Sequence, residues 1–321
     1  MQLTIGLGTF NSENTVKECL DSLILEVKNN KEVEILIIDN ASIDNSWNII
    51  NEYSKKYKFI RVYKNKKNIG ADKNYNLLVD KARGKFVWFF SDDDKVKKGV
   101  VKKILKVIKE NIVLGHIFIN WGGWNETLKK CKVERTIDIK DDILFLNPKH
   151  YLRVVKLNST LFASIVVNRL AWKYAPTEQF MDSDWHHYAK IQEIINVSDS
   201  YFIAKPYVMY RGMSGGRFEK NSERSLKQTI RLINIIKYYK KKNNIKEEYD
   251  NIIKIPLRVL PVEIINLKLK KLQIKNMHVL KFMIVFKGYF YFWLICFPIM
   301  CIPYFVYLPF KSLIRKVIPG E

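Results

Sequence analysis

Phe86-Val87-Trp88-Phe89-Phe90-Ser91-Asp92-Asp93-Asp94 is the stretch on which the fold turns. Five consecutive apolar residues suit a strand buried on both faces, and the chain then becomes abruptly acidic. Adjoining carboxylates repel one another. At the C-terminal end of a strand such a cluster most simply serves to hold a divalent cation, because Mg²⁺ and Mn²⁺ take oxygen ligands and commonly share them with substrate phosphates. The other reading is a polar turn that caps the strand and N-caps a helix over Val96 to Lys109.

Working outward, the same strand-then-polar pattern recurs. Leu3 to Gly8 reads as a strand, and Val16, Leu20, Leu23, Ile24 and Val27 follow at helical spacing, with Ser12 or Asn14 as N-cap. Glu34 to Asp39 is a second apolar run ending in a carboxylate, followed by a helix over Asp44 to Tyr57 and a third strand over Phe59 to Tyr63. Asn68 to Gly70 is a turn, Ala71 to Lys81 a helix, and Phe86 to Phe90 the fourth strand. This alternation predicts an α/β domain with a mostly parallel sheet flanked by helices over residues 1 to 110. In such sheets ligands collect at the C-terminal ends of the strands. Beyond residue 111 the expected elements are strands over Ile117 to Trp121 and Leu161 to Val167 and a helix over Asp184 to Ile195. They complete the sheet and bind a second substrate.

The remaining third differs in composition. From 221 to 287 lysines interleave with Ile and Leu, as in Leu226 to Lys242 and Ile264 to Lys275, which predicts basic amphipathic helices. Gly288 to Phe310 then runs without a charge, long enough to cross a hydrocarbon core that needs about 20 residues. Pro298, Pro303 and Pro309 interrupt it, so a kinked span, a re-entrant hairpin and an interfacial segment all fit, with Lys311, Arg315 and Lys316 as a basic flank. The segment 288 to 321 is thus expected to associate with a membrane surface.

With 55 Lys and Arg against 32 Asp and Glu, the chain carries a formal charge of +23 and should attract anionic partners. Nucleic acid is not expected, because the positive charge sits with Ile and Leu near the apolar tail instead of with interleaved base-stacking aromatics. The cysteines Cys19, Cys131, Cys296 and Cys301 show no CxxC spacing, which points to reduced thiols and no structural zinc. Leu3 to Leu7 follows the first residues directly, with no basic and apolar leader pattern.

Thr9-Phe10-Asn11, Ile37-Ile38-Asp39-Asn40-Ala41-Ser42, Asn68-Ile69-Gly70 and Ala82-Arg83-Gly84-Lys85-Phe86, leading into Ser91-Asp92-Asp93-Asp94, occur in an order and spacing that resembles family 2 glycosyltransferases. The resemblance is firm over residues 1 to 110 and weaker to about 215. It implies a GT-A fold, a nucleotide-sugar donor, a divalent metal (Mg²⁺ or Mn²⁺) and inversion at the anomeric carbon. It also implies a catalytic domain over 1–220, whose halves, 1–110 and 111–220, bind the nucleotide sugar and the acceptor.

By the same resemblance, Thr9 and Asn11 lie beside the base and ribose, and Asp39 accepts the N–H of the base. Asp93 and Asp94 are the metal ligands of a DxD-type motif whose usual first acid is Ser91 here, and Asp92 faces the ribose or the metal. Met181-Asp182-Ser183-Asp184-Trp185 is similar to a Glu-Asp-Trp motif, which makes Asp184 the catalytic base and Asp182 the second candidate, with Ser183 at the position of the first acid. Tyr210 to Arg217 is similar to a loop that closes over the diphosphate, so Arg211 and Arg217 are candidate phosphate clamps. Met213 stands where many relatives have histidine. Asp72, Lys73 and Asn76 are expected in the donor pocket, and Tyr75 replaces the arginine common in relatives. His186 and His187, one apart on a helix, should point in different directions, one packed and one exposed. The acceptor expected from this resemblance is a saccharide or a lipid-linked glycan at the cytoplasmic face of a bacterial membrane. A catalytically inactive membrane scaffold is the alternative, and retention of Asp39, Asp93 and Asp184 argues against it.

Overall fold

A computed structural model of the chain describes residues 1–111, 113–212, 222–269, 286, 288–290 and 292–301. The chain divides into two compact units, Met1–Met213 and Ser214–Glu321.

The first unit begins with β1 (Leu3–Thr9), α1 (Val16–Val27), β2 (Val33–Asp39), α2 (Ser46–Lys56), β3 (Ile60–Lys64), α3 (Ala71–Lys81) and β4 (Phe86–Ser91). These four strands pair in parallel in the order β3-β2-β1-β4. All seven residues of β2 are buried, as expected of a strand with helices on both faces. One of them, Glu34, is a carboxylate. It accepts from the Thr4 hydroxyl at 2.8 Å, the Arg83 N–H at 2.9 Å and Arg61 Nη1 at 2.9 Å, so the buried charge is paired and hydrogen-bonded. Gly84, just before β4, is dictated by space, because a Cβ there would lie 2.5 Å from the Thr4 nitrogen.

Beyond β4 the chain adds β5 (Lys95–Val96), α4 (Val100–Glu110), β6 (Leu114–Trp124), β7 (Cys131–Val133), β8 (Ile143–Phe145), α5 (Pro148–Val155), β9 (Ile165–Asn168), α6 (Arg169–Tyr174), α7 (His186–Val197) and β10 (Asp199–Arg211). The short β9 runs antiparallel to both β4 and β6 and joins the two halves of one sheet, and β6 and β10 are parallel. The register sets Thr9 beside Asp39 and Gly8 beside Ser91, so β1, β2 and β4 end at one sheet edge.

Three sequence expectations are corrected. Lys95 and Val96 are a strand paired with Met209 and Val208, and the helix starts only at Val100, after Gly99 turns through φ 94°. Leu161 to Ser164 is not strand: 3₁₀ turns cover Asn158–Thr160 and Phe162–Ser164, and the Ser164 hydroxyl bonds the Leu161 carbonyl at 2.6 Å, a local alternative to the ladder. The helix expected from Asp184 begins at His186, since Asp184 is left-handed, with φ 66°.

In the second unit α8 (Ser222–Lys242) and α9 (Lys246–Leu269) pack as a pair. Ile233, Ile236 and Tyr239 of α8 and Tyr249, Ile253 and Leu260 of α9 are buried, as the amphipathic pattern predicts, although α9 contains Pro256 and Pro261. A π-helical turn over Phe292–Cys296 leads into α10 (Phe297–Cys301). Among the described residues no helix is long and apolar enough to cross a membrane. Residues 221, 270 to 285 and 287 of the expected basic region, 291 and 302 to 310 of the uncharged run, and its basic flank lie outside the described residues.

Candidate active site

Two clusters form at the C-terminal ends of the parallel strands. The first joins the loops after β1, β2 and β4. Thr9 ends β1 fully buried, and its hydroxyl has no hydrogen-bond partner. Asn11 is left-handed (φ 51°), its N–H donates to Ser42 Oγ at 3.0 Å, and its Oδ1 accepts the Ile43 N–H at 3.0 Å. It therefore ties the first two loops together. Asp39, fully buried at the end of β2, accepts the Ser42 N–H at 3.1 Å and the Ser42 hydroxyl, an Asx-type turn. Asp92 accepts the Phe10 N–H at 3.2 Å and the Ser12 hydroxyl, linking the loop after β4 to the loop after β1.

Asp93 and Asp94 are buried behind it. Asp94 Oδ1 accepts the Arg211 N–H at 2.8 Å, while its Oδ2 has no partner. Burial first, then the neighbouring Asp93 and Asp92, push the Asp94 carboxyl well above the usual range. Burial and the same three acids push up the Cys19 thiol, which donates to the Ser91 carbonyl at 3.3 Å. Arg211 is held by several groups: its Nε donates to the Asp93 carbonyl at 2.6 Å, Nη1 to the Glu126 carbonyl at 2.6 Å, and Nη2 to Glu18. Glu18 also accepts from Lys95 at 2.9 Å. Against the cost of burial, the hydrogen bonds from Arg211 and Lys95 hold its carboxyl below the usual range. Glu18 was not a sequence candidate, since a lone acid on an amphipathic helix carries no signal.

The second cluster is built on the first turns of α3. Asp72, 5% exposed, accepts the Asp184 N–H on Oδ2 at 3.1 Å, and its Oδ1 has no partner. Burial first, with Asp184 and Asp182 nearby, pushes its carboxyl up to about 6. Lys73 pairs with Asp182 at 2.8 Å. Asn76 accepts from Trp172 Nε1 at 2.8 Å and its Nδ2 lies 3.3 Å from His186 Nδ1, so both ends are engaged within the protein. Tyr75 stacks on Phe162 at 3.8 Å between centroids. Burial and the acids Asp92, Asp93 and Asp94 raise its phenol pKa, which sets α3 against both clusters. The expectation of one packed and one exposed histidine is wrong, because both are buried. His186 Nε2 meets Thr177 Oγ1 at 2.8 Å and His187 Nε2 meets the Thr160 carbonyl at 3.0 Å. Tertiary partners wait on both sides of the helix. Arg217 and Met213 lie outside the described residues.

Among the described residues, no three His, Cys, Asp or Glu side chains form a ready-made metal cage. Asp93 and Asp94 with the unpartnered Asp94 oxygen nevertheless fit Mg²⁺ or Mn²⁺, which are commonly bound by one or two carboxylates together with substrate phosphates.

The half-parallel sheet with its acid cluster is of the GT-A type. The model of the glycosyl transferase family 2 matches residues 4–170, and the chain belongs to that family of sugar-transferring enzymes. It is 24% identical over 272 residues to the abequosyltransferase RfbV of Salmonella typhimurium, covering 79% of this chain and 80% of that one. It is 32% identical over 173 residues to a poly(ribitol-phosphate) beta-glucosyltransferase of Bacillus spizizenii, covering 50% of this chain but only 27% of the relative. Among solved structures, S. aureus TarS 1-349 in complex with UDP-GlcNAc superposes with a TM-score of 0.64 at 18% identity, over 89% of this chain and 79% of that one. A mannosyltransferase of Pyrobaculum calidifontis in complex with GDP-Man and Mn²⁺ gives 0.56 at 11%, over 98% and 88%. These likenesses show the fold.

Proposed function

We propose that the protein takes a sugar from a nucleotide-sugar donor bound at the ends of β1, β2 and β4 and transfers it, with inversion, to a hydroxyl of a saccharide or lipid-linked acceptor in bacterial surface glycan synthesis. The observation that carries this reading is the shared sheet edge: Thr9, Asp39 and the acid triplet end three adjacent parallel strands, and buried oxygens of Thr9 and Asp94 lack partners there. The relatives support the acceptor class, since several are named for poly(ribitol-phosphate) or teichoic acid synthesis. Neighbours bound to UDP-GlcNAc or GDP-Man support the donor class.

In this mechanism Asp184 takes the proton of the acceptor hydroxyl as its oxygen attacks the anomeric carbon from the side opposite the diphosphate. The bond from that carbon to the acceptor oxygen forms, the bond to the diphosphate oxygen breaks, and the nucleoside diphosphate leaves. Arg211 clamps the diphosphate once it exchanges Glu18 for a phosphate oxygen. A divalent cation held by Asp93 and Asp94 would offset the negative charge on the leaving group. Asp184→Asn keeps the shape but cannot accept a proton, so donor affinity should persist while turnover falls by about 10²-fold or more. If Asp182→Asn shows that loss and Asp184→Asn does not, the base is Asp182.

For the second unit, the reading is attachment to the cytoplasmic face of a membrane by lying on it. Phe290, Leu294, Pro298 and Cys301 are all exposed at near-helical spacing, an apolar stripe in a lysine-rich unit. That pattern suits an anionic interface.

A further inference from the structure

Residues 182 to 184 adopt an expensive conformation. Asp182 (φ 62°) and Asp184 (φ 66°) are both left-handed, a region that side chains other than glycine enter at a cost, smaller for Asp than for most. Such a turn persists only where its surroundings enforce it. Two consecutive side chains of α3 do so from a distance of more than a hundred residues in sequence. The Asp72 carboxylate receives the Asp184 N–H, and the Lys73 ammonium pairs with the Asp182 carboxylate. Asp72 is buried, whereas Lys73 and Asp182 are half-exposed or more, so the contact to Asp184 is the firmer of the two.

We propose that Asp72, assisted by Lys73, is a positioning residue of the transfer reaction: it locks the 182–184 turn so that the Asp184 carboxylate faces the acceptor hydroxyl. This differs from the donor-pocket role expected for Asp72 from family resemblance, and it rests on Asp184 as the base. Burial of the Asp72 charge next to Asp182 and Asp184 is unfavourable for stability, as its carboxyl raised to about 6 shows. A group kept in place against that cost serves the turn and not the fold.

The test compares Asp72→Leu, Asp72→Asn, Lys73→Met and Asp184→Asn in the full chain. Nucleotide release is measured with whichever UDP- or GDP-sugar the unaltered protein turns over. A misplaced base costs turnover and not donor binding, so Asp72→Leu should lower kcat by about 10-fold to 10²-fold at unchanged donor KM. Asp72→Asn retains an acceptor oxygen for the Asp184 N–H and should restore most of kcat. Lys73→Met, at a more exposed position, should lower kcat several-fold and keeps the test decisive if Asp72→Leu does not fold. The melting temperature of Asp72→Asn at pH 8 should be no lower than that of the unaltered protein. A rise in donor KM at unchanged kcat in Asp72→Leu or Lys73→Met would overturn the proposal in favour of donor binding. Equal loss in Asp72→Asn and Asp72→Leu would overturn it as well, because the charge and not the acceptor would then matter. Loss in Asp184→Asn with none in Asp72→Leu overturns this inference alone, and full activity in Asp184→Asn overturns the assignment of the base beneath it.

Discussion

Acidification from pH 7.5 to 5 should cost the first unit several kcal/mol of stability, through three histidines that it buries uncharged. His116 is fully buried, with Nδ1 3.1 Å from the Val166 carbonyl and Nε2 2.9 Å from the Tyr151 hydroxyl. Burial, the leading cause in each case, lowers the pKa of His116, His186 and His187 to about 4. Between pH 6.5 and 4 the unfolded chain therefore binds more protons than the folded one. The stabilisation is fully present above 6.5 and is lost as pH falls towards 4. At pH 5 each histidine lies about 1.5 pH units below its unfolded pKa, a loss of about 2 kcal/mol each and about 6 together. Asp72 acts in the opposite direction: its carboxyl, raised to about 6, makes the folded state the better proton binder between about 4 and 6, returning about 1.4 kcal/mol at pH 5. Asp94, whose carboxyl burial also raises, acts in the same direction as Asp72, so the net loss falls below about 5 kcal/mol, still a large share of the stability of a marginal domain. Urea unfolding followed by tryptophan fluorescence at pH 7.5, 6 and 5 measures it. His116→Gln should remove about a third of the histidine contribution to the pH slope. A urea midpoint that is the same at pH 7.5 and 5 would refute the reasoning.

Two further outcomes are expected. Asp93→Ala should abolish turnover at any millimolar concentration of Mg²⁺ or Mn²⁺ while leaving the melting temperature within a few degrees of the unaltered protein; turnover by the unaltered protein in excess EDTA would sink the metal role of Asp93 and Asp94. Phe290→Asp with Leu294→Asp in the full chain should leave binding to anionic vesicles at low salt but lose it in a high-salt wash, because lysines contribute about 1 kcal/mol each near the surface, screened by salt, whereas apolar burial is not. Equal retention of both proteins after the wash would exclude the stripe as the anchor.

β1, β2 and β4 were legible because each is an apolar run buried on both faces and stopped by a polar residue, Thr9, Asp39 and Ser91, where the sheet ends; β3, a half-buried edge strand, showed only as a short apolar and aromatic run. What the sequence hid depends on partners far along the chain. Lys95 and Val96 form a strand only because β10 passes alongside, and two residues carry no periodicity of their own. His186 and His187 sit one apart on a helix, a spacing that separates their directions but does not tell what each will meet; Thr177 and the Thr160 carbonyl each take one ring nitrogen. The sequence presented Asp184 as a helix cap or a base. Its left-handed backbone could not be foreseen, since the acceptor that holds its N–H comes from α3. Asn76, expected in the donor pocket, is engaged by Trp172 and His186, neither of which any local pattern links to it.

Two of the buried polar atoms left without a hydrogen bond, among others elsewhere in the described residues, fall at the ends of the parallel strands. A buried polar atom without a partner costs on the order of 1–3 kcal/mol, and Thr9 Oγ1 and Asp94 Oδ2 both sit in the segments that end β1 and follow β4. Nearby polar atoms in the same loops are satisfied at ordinary distances, among them the Asn11 and Asp92 oxygens, so poor packing of the loops is not the cause. Those loops spend their own donors on fixing one another, and the oxygens left over lie in segments at the edge where a parallel sheet receives ligands. A bound donor that supplied partners there would relieve the cost at the moment of binding, through groups already held in place by Asp39, Ser42 and Arg211. On the proposed function, the site is built first and its last hydrogen bonds are left to the donor.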